Sequence, residues 1–255
     1  AGYKRIAELL AAGGLPKDAL EPLYTCAVCK DEGYVYDPSR RMCACMRQEL
    51  NRRMLGELGL AANEHTFEAF DESLFSEEIP EGDKLSQRQR ALLARNTCLD
   101  YANAFPDTAT PNLLLSGKSG LGKTFLLHAI AHRLVERDVM PVYTSAYHLL
   151  EVARRAYFEN DSEKLSEMMN APILIIDDLG TEPMLQNVTI EQLFNLLNER
   201  QLKRRHTVIS TNLTMAEFKE RYTERIASRL MDESSWRRLV FTGRDGRKKL
   251  KRSKA

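Results

Sequence analysis

The residues best suited to do chemistry form one run, Gly117-Lys118-Ser119-Gly120-Leu121-Gly122-Lys123-Thr124. It satisfies G-x-x-x-x-G-K-[ST] at every fixed position. The run follows the apolar Leu113-Leu114-Leu115 and precedes a helical pattern, the context its mechanism needs. Glycines let backbone N–H groups turn inward around a polyphosphate, and a helix N-terminus adds partial positive charge. The cradle is drawn from Gly117, Ser119, Gly120, Leu121 and Gly122. Lys123 is placed to reach the β- and γ-phosphates, and the Thr124 hydroxyl to ligate Mg²⁺.

Two further clusters fall at strand ends. Ile173-Leu174-Ile175-Ile176 reads as a strand buried on both faces, and Asp177-Asp178 follow it directly. Ligands of open α/β sheets bind at that end of the strands. Asp177 is the natural Mg²⁺ partner. Asp178 is placed to polarise an attacking water as a general base, or to cap the turn before Gly180. Ser210-Thr211-Asn212 ends another apolar strand, and Asn212 is placed to hold the γ-phosphate or the water. Asn is also a common turn former at strand ends.

Cys26-Ala27-Val28-Cys29 is followed after thirteen residues by Cys43-Ala44-Cys45. Four thiolates in two close pairs suit a tetrahedral Zn²⁺ held as a structural site. Two disulfides and unligated thiols are the alternatives. A segment with so little core of its own needs such a staple. The total of five cysteines excludes a framework that pairs them all. Cys98, on a helical stretch beside Leu92 and Leu99, is most simply a core residue.

These residues imply particular elements behind them. Between about 85 and 243 strands alternate with helical patterns, which marks an α/β domain with a parallel sheet. Strands are expected at 113–115, 141–144, 173–176, 207–210 and 239–241. Helices are expected at 86–104, 123–137, 146–158, up to about 169, around 190–197 and at 215–231. Residues 1–60 form the cysteine module, 61–84 an acidic linker whose phenylalanines can dock on the domain that follows, and 244–255 a basic tail.

The chain has 255 residues, 43% hydrophobic and 29% charged, with a net charge of +1. That composition argues against long disorder and against a uniformly basic nucleic-acid binder. The sum hides a tail of seven Lys or Arg against one Asp. No apolar run approaches the ~20 residues of a membrane helix, and no signal peptide is read at the N-terminus. The expected compartment is the cytoplasm, where thiols stay reduced.

Taken together, the phosphate loop, the Ile-Asp-Asp strand, the Ser-Thr-Asn strand end and Arg225-Ile226-Ala227-Ser228-Arg229-Leu230 resemble an AAA+ ATPase. The resemblance is to the bacterial helicase-loader family (DnaC/DnaI type), with DnaA and the transposase-helper ATPases as relatives. It covers about residues 65–250, including Phe67-x-x-Phe70-Asp71. The cysteine segment is similar to that of Gram-positive loader-like proteins.

The resemblance implies an α/β fold: an AAA+ P-loop NTPase with a parallel five-stranded sheet and a reduced lid, preceded by a small Cys₄ zinc module. Residues 213–255, all that follow Asn212, cannot hold a full helical lid as well as a last strand and the tail. Asn212 corresponds to sensor 1. Arg229 corresponds to an arginine finger acting in trans on a neighbouring copy's nucleotide, with Arg225 as a rival on the same helical face. Arg247 falls where a sensor-2-like arginine would. The implied activity is ATP hydrolysis that loads a replicative hexameric DNA helicase onto single-stranded DNA. A transposase client, or an ATP-dependent adaptor that hydrolyses poorly, are the alternatives. Contact with single strands is expected from Arg154, Arg155, Tyr157 and Phe158, basic groups beside aromatics, and from Lys248-Lys249-Leu250-Lys251-Arg252. The zinc module is expected to touch the helicase or the DNA.

Overall fold

The structure is a computed structural model that describes residues 2–14, 16, 19–20, 22–36, 39–60, 65–185 and 188–245. The chain divides into two compact units, Ala1–Arg52 and Arg53–Ala255.

In the first unit, helix α1 (Gly2–Ala12) precedes a two-stranded antiparallel hairpin, β1 (Tyr34–Tyr36) and β2 (Arg40–Met42). Helix α2 (Ala44–Glu57) starts directly after Cys43. Lys30 and Asp31 both take left-handed backbone conformations, with φ of 51° and 64°. The Asp31 carboxylate accepts from the Thr25 and Cys26 N–H groups at 2.9 and 2.8 Å, which closes the turn around the first cysteine pair.

The second unit carries a five-stranded sheet. Its elements are α3 (Gln87–Ala104), β3 (Asn112–Gly117), α4 (Lys123–Glu136), β4 (Val142–Ser145), α5 (Ala146–Phe158), α6 (Glu163–Asn170) and β5 (Ile173–Leu179). Then come α7 (Val188–Leu202), β6 (His206–Thr211), α8 (Met215–Leu230) and β7 (Trp236–Phe241). The strand order is β4-β5-β6-β3-β7, with every pairing parallel. Parallel strands need crossover helices, and the helices cover both faces. Leu113, Leu115, Ile173, Ile175 and Val208 face α3 and α4. The alternate residues Leu114, Leu174, Ile176 and Ile209 face α5, α7 and α8. That period-2 division is the reason these strands read as continuous apolar runs. Strands β3, β5, β6 and β7 run longer than periodicity predicts, because polar strand ends such as Asn112 and Thr211 still belong to the ladder, whereas the helices other than α7 keep their expected bounds to within a residue.

The segment preceding α3 lies against this domain. Phe67 is 1% exposed within the core cluster of α3 and α4, and Arg95 donates to its carbonyl from two guanidinium nitrogens. Phe75 is buried after a single 3₁₀ turn (Glu72–Leu74) that Asp71 caps. A capping box of Ser86 and Gln89 then starts α3. Cys98 is fully buried, and burial pushes its thiol well up. Among the described residues no helix is long and apolar enough to cross a membrane.

One buried charge fastens the far side of the sheet. Arg200, 1% exposed, donates to the carbonyls of Met168 (2.6 Å), Ala171 (3.0 Å) and His206, and to Thr207 Oγ1 at 3.0 Å. It thereby closes the C-terminal end of α6 onto the start of β6. Burial lowers its pKa to about 10. Arg200→Met should keep the packed stem yet leave several buried carbonyls without donors, at a loss of about 3 kcal/mol. Urea unfolding monitored by circular dichroism measures this, and an unchanged midpoint would refute it.

Candidate functional site

The C-terminal ends of β3, β5 and β6 bring the phosphate-loop lysine, the paired carboxylates and the Ser-Thr-Asn strand end to one edge. Gly122, with φ of 91°, stands at the N-cap of α4 in a conformation that favours glycine. Lys123 begins the helix and is 4% exposed. Its ammonium donates to the carbonyls of Gly117 (2.6 Å) and Lys118 (2.9 Å) and to Asn212 Oδ1 (2.7 Å). Asn212 in turn donates from Nδ2 to Asp178 Oδ1 at 3.2 Å. The lysine, the polar end of β6 and the second carboxylate therefore form one chain of contacts. Leu121 is buried beneath the loop.

Asp177 is 9% exposed and collects donors from four places. Thr124 Oγ1 donates to Oδ1 at 3.2 Å and Tyr143 to Oδ2 at 3.0 Å. The Ser210 hydroxyl and the Asp178 N–H also donate to Oδ1. Burial, then the neighbouring Asp177 carboxylate, pushes the Tyr143 phenol well up, so it stays a donor.

The β5–β6 register shifts between Ile176 and Leu179, and Asp178 has a left-handed φ of 55°. A bulge of this kind re-aims side chains at a strand end. Ser210 Oγ accepts from the Asp178 N–H at 2.8 Å and so fills the gap that the bulge leaves in the ladder. Tyr143 carries no sequence signal for this contact, and Ser210 only that of a polar strand end without a role of its own. The register of β4 and β6 against β5 is what would have revealed them.

A cavity of about 540 Å³ opens beside the loop. Ser119, Gly120, Lys123, Thr124, Asp178 and Asn212 form its polar side. His65, Phe70, Phe75 and Phe125 form an aromatic wall, with Phe70 stacked on Phe75 at 5.5 Å. His65, Phe70 and Phe75 come from the acidic stretch 61–84 and Phe125 from α4, and a polyphosphate carrying a flat base fits these two sides. Gln87 exchanges two hydrogen bonds with the Arg244 backbone. This brings Asp245 so near the loop that a Cβ on Gly120 would lie 2.0 Å from its carboxylate. Arg247 and the run 248–252 lie outside the described residues.

Arg225 and Arg229 of α8 share one partner. The Arg225 and Arg229 guanidinium carbons stand 4.0 and 4.2 Å from the Phe194 ring centroid, in cation–π contact. Arg229 also donates to Asn198 Oδ1 at 2.9 Å. Neither arginine lines the cavity beside the phosphate loop. On α5, Tyr157 and Phe158 are more than half exposed and meet edge to face. Arg155 is exposed there, whereas Arg154 is paired with Glu159 at 3.0 Å.

In the first unit the four sulfurs of Cys26, Cys29, Cys43 and Cys45 lie within 4.8 Å of one another. The Cys26–Cys43 and Cys29–Cys45 separations are 3.8 and 3.4 Å. These are far longer than a disulfide and near the ~3.8 Å edge of a tetrahedron with Zn–S bonds of ~2.3 Å. Backbone N–H groups of Cys29 and Val28 lower the Cys26 thiol to about 7. Four thiolates this close repel unless a cation neutralises them, and Cys45 is pushed up to about 12, first by its contact with Cys29. The donor set fits zinc.

The sheet order, the loop at the end of β3 and the carboxylates at the end of β5 define an AAA+ P-loop fold. Within that class, the chain belongs to the family of IstB-like ATP binding proteins, whose model matches residues 81–252. It is 28% identical over 241 residues to the phage-like element PBSX protein XkdC of Bacillus subtilis (strain 168), covering 89% of this chain and 86% of that protein. It is 32% identical over 127 residues to the replicative helicase loader DnaI of the same organism, covering 49% of this chain but only 40% of DnaI. Its fold matches the crystal structure of the DnaC helicase loader with a TM-score of 0.56 at 21% identity, over 71% of this chain and 98% of that one.

If zinc occupies the four-sulfur site, metal analysis of the purified chain should return one zinc per molecule. Cys29→Ser should lose the metal and the structure of residues 1–52 while the melting of the second unit is unchanged. A zinc-free chain with an intact, protease-resistant first unit would refute the assignment.

Proposed function

We propose that this protein binds and hydrolyses ATP and uses that cycle to load a replicative hexameric DNA helicase onto single-stranded DNA. The observation that carries the ATPase reading is the convergence of Lys123, Thr124, Asp177, Asp178 and Asn212 on one sheet edge. In this reading Lys123 exchanges its carbonyl contacts for the β- and γ-phosphates. Mg²⁺ held by Thr124 and Asp177 would neutralise charge on those phosphates. Asp178, steadied by Asn212, takes the proton of the attacking water. Asn212 orients that water or the γ-phosphate, and Arg247 would contact the phosphates from the tail. The Phe70–Phe75 wall receives the base.

Arg229 completes the site of a second copy. A guanidinium can spread over the phosphoryl oxygens in the transition state, and such a group supplied in trans makes hydrolysis depend on assembly. Stacking on Phe194 holds Arg225 and Arg229 together near the surface of α8, which supports self-association through this helix. Tyr157, Phe158 and Arg155 on α5 offer a stacking and phosphate surface for single strands.

The helicase client is favoured by the similarity to a replicative helicase loader and by the additional Cys₄ module. The second reading, a helper of a transposase, is favoured by the IstB-like family match. Both place the protein on DNA, and the catalytic residues are common to them.

Lys123→Ala should abolish binding of a fluorescent ATP analogue. Asp178→Asn should retain that binding and slow turnover about a hundredfold. An unchanged rate in Asp178→Asn would remove its role as base. For the client, co-purification of the full chain with a hexameric helicase, with and without ATP, should yield a complex that ATP modulates in the wild type and not in Arg229→Ala. Capture of a transposase with no helicase would establish the second reading instead.

A further inference from the structure

The loop after β5 and helix α8 are joined by a buried contact that none of the roles above uses. Glu182 is 3% exposed and Tyr222 is fully buried. The Tyr222 hydroxyl donates to Glu182 Oε1, while Oε2 accepts from the Gly180 N–H at 2.9 Å. The Arg221 guanidinium stands 3.7 Å from the same carboxylate and donates to the Glu182 carbonyl. One carboxylate thus grips the turn two residues beyond Asp178 at one end and the middle of α8 at the other.

The residue after Tyr222 breaks the helix. Thr223 has φ 76° and ψ 156°, and for a β-branched residue that is a true outlier. Such a conformation persists only where its surroundings over-determine it. On one side Tyr222 is fixed by Glu182. On the other, Arg225 and Arg229 are stacked on Phe194, and Arg229 is bonded to Asn198. The break therefore sets the direction in which residues 225–230 leave the first half of α8, and both of its sides are anchored.

We propose that Glu182 and Tyr222 are positioning residues that couple the carboxylate end of β5 to the arginine segment of α8. The state of the nucleotide site in one copy then sets the aim of Arg229 toward another. This deepens the trans-arginine reading and rests on it. A buried carboxylate–phenol contact suits the task, because pulling it apart strands a buried anion with fewer donors. The loop and the helix accordingly move as one body. Motion at Asp177–Asp178 on nucleotide binding passes through Gly180 and Glu182 to Tyr222, and across Thr223 to the arginines.

The test uses the full chain and two conservative variants. Tyr222→Phe removes only the hydroxyl, and Glu182→Gln keeps the shape while removing the charge. ATP-analogue affinity, turnover against protein concentration with single-stranded DNA, and thermal melting are measured for each. The nucleotide affinity should stay unchanged in both. The rise of turnover with protein concentration should fall about fivefold, the size of coupling that packed networks carry. Combining Tyr222→Phe with Arg229→Ala should lose no more than Arg229→Ala alone. If Arg229→Ala flattens the concentration dependence but both variants keep it, the coupling is overturned and the trans-arginine reading stands. Losses that multiply in the double variant also overturn it. If Arg229→Ala leaves the dependence intact, the trans-arginine reading falls and the coupling falls with it.

Discussion

A carboxylate placed at the end of a fully buried strand must be surrounded by donors, and the architecture of the second unit follows from how Asp177 meets that demand. An unpaired buried anion is costly, whereas one that accepts several hydrogen bonds is not. Its donors come from α4, β4, β6 and its own strand through Thr124, Tyr143, Ser210 and the Asp178 N–H. Each contact fixes one element's position along the sheet axis. The phosphate loop, the edge strand β4 and the polar end of β6 are thereby held in register around a single atom group. The bulge at Asp178 belongs to the same arrangement, since it turns the second carboxylate toward Asn212, which Lys123 also contacts, instead of into the ladder.

The first unit solves a different problem by a different route. Between residues 1 and 52 few side chains are buried; Leu10, Cys29 and Cys43 are the buried apolar ones among those described. A segment of this kind cannot offset its chain entropy by apolar burial. Left-handed turns at Lys30 and Asp31 and the carboxylate of Asp31 hold the first cysteine pair in a tight turn. The hairpin brings the second pair alongside. The sulfurs converge because the backbone is folded to make them converge, and a tetrahedral cation is the chemistry that rewards that geometry.

Arginines show how the same side chain serves opposite ends. Arg200 is buried for structure, its donors spent on carbonyls at the junction of α6 and β6. Arg225 and Arg229 lie at or near the surface, over one aromatic ring that keeps two like charges close without burying them. Planar, delocalised guanidinium permits both arrangements, because it stacks through its faces and donates through its edge.

The sequence by itself determined the α/β class and the order of its elements. Apolar runs of four residues, helical spacing of leucines and a glycine loop between them are local signals, and each is tied to backbone preference or to burial on two faces. The four cysteines, Lys123 and Asp177-Asp178 were likewise visible from residue types that are rare at such spacings, and Asn212 only because its strand end follows the phosphate loop and the Asp pair. What only the tertiary structure decided is contact between residues far apart in the chain. Tyr143 and Ser210 look like ordinary strand residues until register sets them against Asp177. That the phenylalanines of the acidic stretch 61–84 dock on the domain was legible, but which of them is buried in the core and which two wall the cavity was set by the fold. Glu182, Tyr222 and the break at Thr223 have no local signature at all, because a buried carboxylate is recognisable only once its donors, supplied by another element, are in place.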